Sequence, residues 1–403
     1  MGFENFDFST YASIADQLLM DAAYKIQLTP SDYKEATQNY EAVSTYVDGP
    51  GSLLEGKVLI IYPSGSFGIG APILGKIRAH KHDIDVVLEL DLPQNSDPEW
   101  VLTVLERSLD RGYGSRYHKM VKRNSRCVTI TYADGHTLDV MPVVRRANIV
   151  TERVSQLFHW KKETQESYHK DVNPKGFAKH FKARVGTNDI FMKRFGSHRL
   201  ALLAKAETED FPEFEGLDRK SPRIVALQLI KRARDVSYRS NKPSRKRKPP
   251  SVIKAGLALE AGPILSPSLS QELLNVATYI RDTILRCERA SVLLDVRNVS
   301  YPPDCFTDRW PSNNSEQSIY RKDLDNLIID INELRCTTDI EKQNKILVRL
   351  FGETAATHAI NTYSKRLGKA RAAGKTIVGV GGAVSVAPKV YPSVPKRTNF
   401  GSQ

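Results

Sequence analysis

His82-Asp83-Ile84-Asp85-Val86-Val87-Leu88-Glu89-Leu90 is the stretch that decides the architecture. Its apolar run is strand-length, and in a strand alternate side chains share a face. Asp83 and Asp85 therefore point the same way, together with Val87 and Glu89, while Ile84, Val86, Leu88 and Leu90 cover the other face. Two neighbouring carboxylates repel unless a cation sits between them. Magnesium takes oxygen ligands and is commonly held by one or two carboxylates plus substrate phosphates. Taken alone, the pair also reads as two acids at a solvated strand edge.

The flanking sequence sharpens this. Upstream, Lys57–Tyr62 reads as a short strand or a helix end, and Pro63-Ser64-Gly65-Ser66-Phe67-Gly68-Ile69-Gly70 as a glycine-rich turn leading into a helix. Backbone N–H groups of such a turn at Gly65, with the Ser66 hydroxyl, can cradle phosphates. Downstream, Asp97-Pro98 opens a helix to about Leu109. A strand from Arg126 to Tyr132 meets the hairpin signal Asp134-Gly135 and returns from His136 to Val144. Asp139 lies in the apolar run Leu138–Val144, where an unpaired carboxylate is costly and needs a metal or a lysine. Phosphate turn, paired acids, helix, hairpin and a single acid bring three carboxylates together across adjacent strands.

Residues 10–27 and 30–46 have helical spacing, the second helix capped by Thr29 with Pro30 in its first turn. Beyond about residue 165 strand signals fade and helical periods dominate to about residue 371. The Arg245-Lys246-Arg247-Lys248 run, bracketed by prolines, reads as a mobile surface loop. From about Gly374 the chain is rich in glycine, valine and proline and poor in core residues, which predicts a flexible tail. With 40% hydrophobic and 26% charged residues the 403-residue chain reads as globular, large enough for two domains. No apolar run reaches the ~18–20 residues that span a membrane, and the stretch MGFENFDFST lacks the basic and apolar regions of a secretory signal, so none is expected. Cys127, Cys287, Cys305 and Cys336 are scattered as free thiols of a reducing compartment would be, so a cytoplasmic location is expected. The net charge of +13 favours polyanions, either triphosphates or nucleic acid, without choosing between them.

Gly65-Ser66, then Asp83-x-Asp85, then Asp139 resembles the polymerase-β-like nucleotidyltransferase superfamily. Within it the chain looks like the bacterial cGAS/DncV-like nucleotidyltransferases, the second-messenger synthases of CBASS antiphage defence. Trp160 followed by Asn173-Pro174-Lys175-Gly176-Phe177, the helix Arg223–Asp235 with Lys231-Arg232, Pro249-Pro250-Ser251 and Asp295–Pro311 are similar to further family elements. The resemblance covers residues 50–365. It implies an α+β fold, with helices and catalytic core over residues 1–165, a helical domain over 166–370 and a tail over 371–403. It also implies two magnesium ions, replaceable by manganese, on Asp83, Asp85 and Asp139. ATP or GTP would be held by Gly65, Ser66, Lys231, Arg232, Asn173 and Lys175, while Trp160, Tyr168 and Phe177 could stack on a base. The implied product is a cyclic di- or oligonucleotide, purine-containing, that acts through a downstream effector. The terminal Thr398–Gln403 segment resembles tails engaged by E1/E2-like partners. The chain departs from the family in a longer Ser66–Asp83 gap, read as an insertion at Ile73–His82, and in Val299 where proline is usual. The rival readings are an RNA-tailing or protein-modifying nucleotidyltransferase, and a nucleic-acid-binding protein with a degenerate site.

Overall fold

A computed structural model of the chain describes residues 13–75, 83–147, 153–203, 220–239, 243–245, 247–374, 376–378 and 384–386. Helix α1 (Ile14–Lys25) starts on the Ser13 side chain, and α2 (Pro30–Asp48) opens with a reciprocal Thr29–Asp32 capping box. Strand β1 (Val58–Pro63) leads into a single-turn helix, α3 (Gly65–Gly68), and β2 spans Asp83–Leu90. Helix α4 (Pro98–Leu109) is capped by Asp97. Strands β3 (Val121–Arg123), β4 (Val128–Thr131), β5 (Thr137–Arg145), β6 (Ser155–Lys161) and β7 (Glu166–Val172) complete the sheet. Its path is β1-β2-β5-β4-β3, with β6 joined to the end of β5 and β7 to β6. Of these pairings only β2–β5 is parallel.

One face of the sheet buries Ile84, Val86, Leu88 and Leu90 with Leu138 and Val140 beneath α2 and α4. The other carries Val87, Val143, Leu157 and Val172 with Tyr62. The alternation read from residues 83–90 is thus the division between two packed layers.

The remaining helices are α5 (Pro174–Arg184), α6 (Asp189–Leu203), α7 (Pro222–Ser237), α8 (Ser251–Glu260), α9 (Leu269–Arg289), α10 (Asn314–Cys336), α11 (Ile340–Phe351) and α12 (Glu353–Ala372). Helices α6 to α12 form a helical cluster around Leu229, Ile280, Ile331, Leu347 and Ala359. A smaller cluster of Ile69, Ala71, Phe177, Phe181, Leu227 and Ala255 joins α3, α5, α7 and α8, and so welds the helices to the phosphate-turn end of the sheet.

The expected boundary at 165/166 falls in the turn of the β6–β7 hairpin, whose strands hide their period. Ser155–Trp160 is buried throughout, whereas Glu166–Asp171 is mostly exposed or half-buried and polar. Helix α1, expected with the catalytic core, packs into the helical cluster through Leu18, Leu19, Ala22 and Ile26. Its buried Asp21 takes both terminal nitrogens of Arg366 on α12, at 2.9 and 2.6 Å. The described residues of the basic run are tethered. Arg245, in a one-turn 3-10 helix, forms a two-pronged ion pair with Asp323, and Lys248 lies 3.6 Å from Asp235. Within the expected flexible tail, the described segments β8 (Thr376–Val378) and β9 (Val384–Val386) pair as strands beside α12. Of the expected insertion at Ile73–His82, residues 76–82 lie outside the described residues, as does the Thr398–Gln403 segment. No helix among the described residues is long and apolar enough to cross a membrane.

Leu18→Ala tests the docking of α1. Leu18 is fully buried among the helices, and truncation of such a leucine costs about 2–5 kcal/mol. A matching loss of unfolding free energy in urea is expected, and a loss below about 1 kcal/mol would show that α1 is only loosely attached.

Candidate active site

The parallel pairing of β2 with β5 sets Asp83 opposite Thr137 and Asp85 opposite Asp139. All three carboxylates stand on the cleft-facing side of the sheet. Thr129, opposite Asp139 across the β4–β5 hairpin, donates its hydroxyl to Asp139 Oδ1, and the Thr137 hydroxyl donates to Asp83 Oδ1 at 2.7 Å. These threonines escaped the sequence reading, although counting back from the Asp134-Gly135 turn puts Thr129 across from Asp139.

The turn after β1 comes against the same carboxylates. The Ser64 N–H donates to the Asp85 carbonyl at 2.8 Å, and the chain then enters α3 through Gly65 at φ +51°. A β-carbon on Gly65 would lie 2.2 Å from Asp85 Oδ2, so only glycine permits the approach. Behind it, the Ser66 carbonyl accepts from the Ala71 N–H, and the Ala71 carbonyl accepts from Lys231 Nζ at 2.9 Å.

A concavity of about 360 Å³ opens over this turn. Gly65, Ser66, Asp85, Lys231 and Phe177 line one side, and Arg126, Lys170, Asp304, Asp308 and Arg309 the other. The second group is a charged network missed in the sequence. Arg126 lies 2.6 Å from Asp308 and donates to the Tyr168 hydroxyl, while Lys170 donates to Asp308 at 2.9 Å and to the Cys305 carbonyl. Its members are far apart in the chain and carry no shared spacing.

The remaining expected nucleotide contacts lie elsewhere. Arg232 leaves α7 on another side and donates to the carbonyls of Phe351 and Gly75. Asn173, almost wholly buried, caps α5 by accepting from the Gly176 N–H. Its own N–H donates to Asp304 and its carbonyl accepts from Asn298, so it joins the cleft walls rather than facing a base. Lys175 lies over the Tyr62 ring, outside the cleft. Trp160 is covered by Arg123 and Tyr168 is stacked on His159. Of the three aromatics only Phe177 lines the cleft.

The electrostatics are those of crowded, dehydrated charge. Burial, then Asp139 and Asp83, push the Asp85 carboxyl up to about 7, with Lys231 opposing. Burial also raises Asp139, the Thr129 hydroxyl working against it and Asp83 with it. Burial and Arg234 drive Lys231 down to about 7 against the pull of Asp235, Asp85 and Asp83. Such a donor set of crowded, underneutralised oxygens fits a hard divalent cation. Two of the three aspartates accept from threonine hydroxyls, Asp139 from Thr129 and Asp83 from Thr137. Among the described residues the one tight grouping of metal-ligating side chains is Glu35, Asp134 and His136, with ligand atoms within 4.8 Å of one another. Both ring nitrogens of His136 there already face Asn39 and Asp134.

Gly65→Ala should leave the fold largely intact while pushing the turn off Asp85. The expected result is a loss of nucleotide affinity of about tenfold or more, read by calorimetry, with circular dichroism unchanged. Unchanged affinity would mean that the close approach has no part in binding.

Residues 14–182 match the model of the Second Messenger Oligonucleotide or Dinucleotide Synthetase domain. The chain is 33% identical over 369 residues to the cyclic dinucleotide synthase CdnG of Bradyrhizobium diazoefficiens, covering 89% of this chain and 85% of the relative. The structure of that CD-NTase in complex with GTP superposes with a TM-score of 0.74 at 31% identity, over 87% of this chain and 99% of the other. The Escherichia coli MS115-1 CdnC structure with ATP shares the fold, with a TM-score of 0.55 at 16% identity over 84% of this chain and 97% of that one. The fold is that of the polymerase-β-like enzymes, and the chain belongs to the CD-NTase family, the cGAS/DncV-like nucleotidyltransferases.

Proposed function

We propose that this nucleotidyltransferase makes a cyclic, purine-containing dinucleotide from nucleoside triphosphates in antiphage defence, with Asp83, Asp85 and Asp139 holding two magnesium ions. The observation that carries the reading is the in-register pairing of Asp85 with Asp139 directly beneath the Gly65 turn. The purine preference takes support from the GTP complex of the 31% identical CdnG structure.

In this reading the chain's own groups divide the work. The three carboxylates would hold the ions, one by all three aspartates and the other by Asp83 and Asp85. When bound, the ions supply Lewis-acid stabilisation of both the attacking and the departing oxygens. Ser66 and the backbone N–H groups of α3 bind the terminal phosphates. Lys231, charged or neutral near pH 7 in the empty cleft, becomes fully charged beside a triphosphate and offsets the charge growing on the pyrophosphate. Phe177, edge-on to Phe306 at 4.9 Å between ring centres, gives the cleft an apolar wall for a base or ribose. A second turnover on the repositioned linear dinucleotide closes the ring.

Asp139→Asn and Asp85→Asn should each lower pyrophosphate release from GTP and ATP by about 100-fold or more while the far-ultraviolet spectrum is retained. Wild-type rates in either protein would remove these residues from the chemistry. A linear product that never cyclises, or elongation of an added RNA primer, would favour an RNA-tailing enzyme instead.

The raised Asp85 carboxyl also makes metal binding pH-dependent. The folded protein keeps this proton up to about pH 7, whereas the unfolded chain releases it near 4, so metal-free stability falls as pH rises from about 4 to 7. A cation must displace that proton, so the rise in melting temperature on adding magnesium or manganese should be larger at pH 8 than at pH 6. The gain should shrink in Asp85→Asn. A gain independent of pH, or undiminished in the variant, would place the metal elsewhere.

A further inference from the structure

The residues that join β3 to β4, Asn124-Ser125-Arg126-Cys127, are tied both to β6 and to the far wall of the cleft. The Asn124 N–H donates to the Cys127 carbonyl at 2.8 Å and closes the turn, and the Ser125 carbonyl accepts from the Trp160 N–H at 2.9 Å. Arg126 reaches across to Asp308. An asparagine in such a turn needs no further reason, since its backbone suits the bend. The Asn124 side chain nevertheless leaves the turn. It donates from Nδ2 to the Thr129 hydroxyl at 2.7 Å, with the Cys127 sulfur 3.9 Å away.

Thr129 is the next link. It stands on β4 directly opposite Asp139 and donates its hydroxyl to Asp139 Oδ1. The chemistry of the three groups fixes where each hydrogen points. As a metal ligand Asp139 is ionised, and an ionised carboxylate only accepts, an amide nitrogen only donates, and a hydroxyl has one hydrogen to give. With Asn124 Nδ2 filling a lone pair of Thr129 Oγ1, the hydroxyl hydrogen is left for Asp139. The opposite amide orientation would set the Asn124 oxygen against Thr129 and draw that hydrogen away. Thr129 and Asp139 would then face each other oxygen to oxygen with no hydrogen between them. The chain from Asn124 through Thr129 to Asp139 therefore runs in one direction.

The consequence falls on the carboxylate. Asp139 Oδ1 is occupied, whereas Oδ2 has no hydrogen-bond donor among the described residues. Held at Oδ1, the carboxylate cannot rotate without breaking that bond, so Oδ2 keeps one direction. Groups that sit behind a metal ligand and fix its orientation in this way tune the affinity of the site.

We infer that Asn124 and Thr129 are positioning residues for Asp139, Asn124 by aiming the Thr129 hydroxyl and Thr129 by holding Oδ1, so that Oδ2 is the oxygen presented to a divalent cation. This rests on the reading of Asp139 as a metal ligand. The test is manganese binding to the full chain without nucleotide, followed by the electron paramagnetic resonance signal of the free ion. Thr129→Val keeps the β-branched shape and loses the hydroxyl, and it should weaken manganese affinity by about tenfold. Thr129→Ser returns the hydroxyl and should restore the affinity. Asn124→Ala leaves the hydroxyl free to turn and should cause a smaller loss. Added to Thr129→Val it should cost nothing more, because Asn124 acts only through Thr129. Asn124 is exposed and Thr129 half-buried, so the metal-free melting temperature checks that each variant is folded. Unchanged affinity in Thr129→Val, or affinity not restored in Thr129→Ser, would overturn the inference. So would unchanged affinity in Asn124→Ala, or an additive loss in the double variant. Asp139→Asn, measured alongside, separates the two levels. A loss there with none in Thr129→Val leaves the metal site standing and removes its positioning residues. Undiminished affinity in Asp139→Asn, or no saturable binding to the wild-type chain, removes the metal site itself and this inference with it.

Discussion

The parallel pairing of β2 with β5 is the constraint on which the rest of the molecule depends. Its register sets Asp85 beside Asp139. Antiparallel β1 then delivers the glycine turn to the same end of the sheet, where the Ser64 N–H closes onto the Asp85 carbonyl. A shift of one residue in either strand would turn a carboxylate into the apolar layer under α2 and α4. That layer, built on Ile84, Val86, Leu88, Leu138 and Val140, makes such a shift expensive. The geometry of the acids is thus guarded by hydrophobic burial on the opposite face.

The electrostatic strain of this end is met from the helical side. Asp85 and Lys231 are both buried, one carboxyl raised and one ammonium lowered toward neutrality. Burial therefore favours the neutral form of each group. The packing of Leu227, Ala71 and Phe181 where α7 meets the turn region keeps Lys231 pointed at the turn, as does its hydrogen bond to Ala71. Lys254 on α8 does related work in the wall. Fully buried, it donates to the carbonyls of Pro249 and Pro250, which with Arg234 secures the entry to the helix that lines the cleft.

The far wall is joined to the sheet by polar groups instead. Buried Asn298 donates to Asp304 and to the Asn173 carbonyl, and Asp304 accepts from the Asn173 N–H at the start of α5. Val299, standing where the family usually has proline, is exposed and outside this junction, so the departure leaves the Asn298 contacts intact. Arg126 and Lys170 extend the same network up from the sheet to Asp308. One side of the cleft is thus welded by apolar packing and the other by buried hydrogen bonds.

Local signals in the sequence were enough for β2, the Asp134-Gly135 hairpin, the capped starts of α2 and α4, and the shared face of Asp83 and Asp85. Each depends on neighbours a few residues apart, and period and capping are local physics. They were not enough for β6 and β7, where burial without alternation and polarity without burial hide the strand period, nor for α1, whose apolar stripe does not say which core receives it. The directions of Lys231 and Arg232 were equally illegible. The two are adjacent in sequence, yet successive residues point about 100° apart around a helix, so one reaches the turn and the other the end of α11. The polar networks of Arg126 with Asp308 and of Asn173 with Asn298 join positions more than a hundred residues apart. Only tertiary packing brings such groups within hydrogen-bonding distance, because no local propensity carries information over that span.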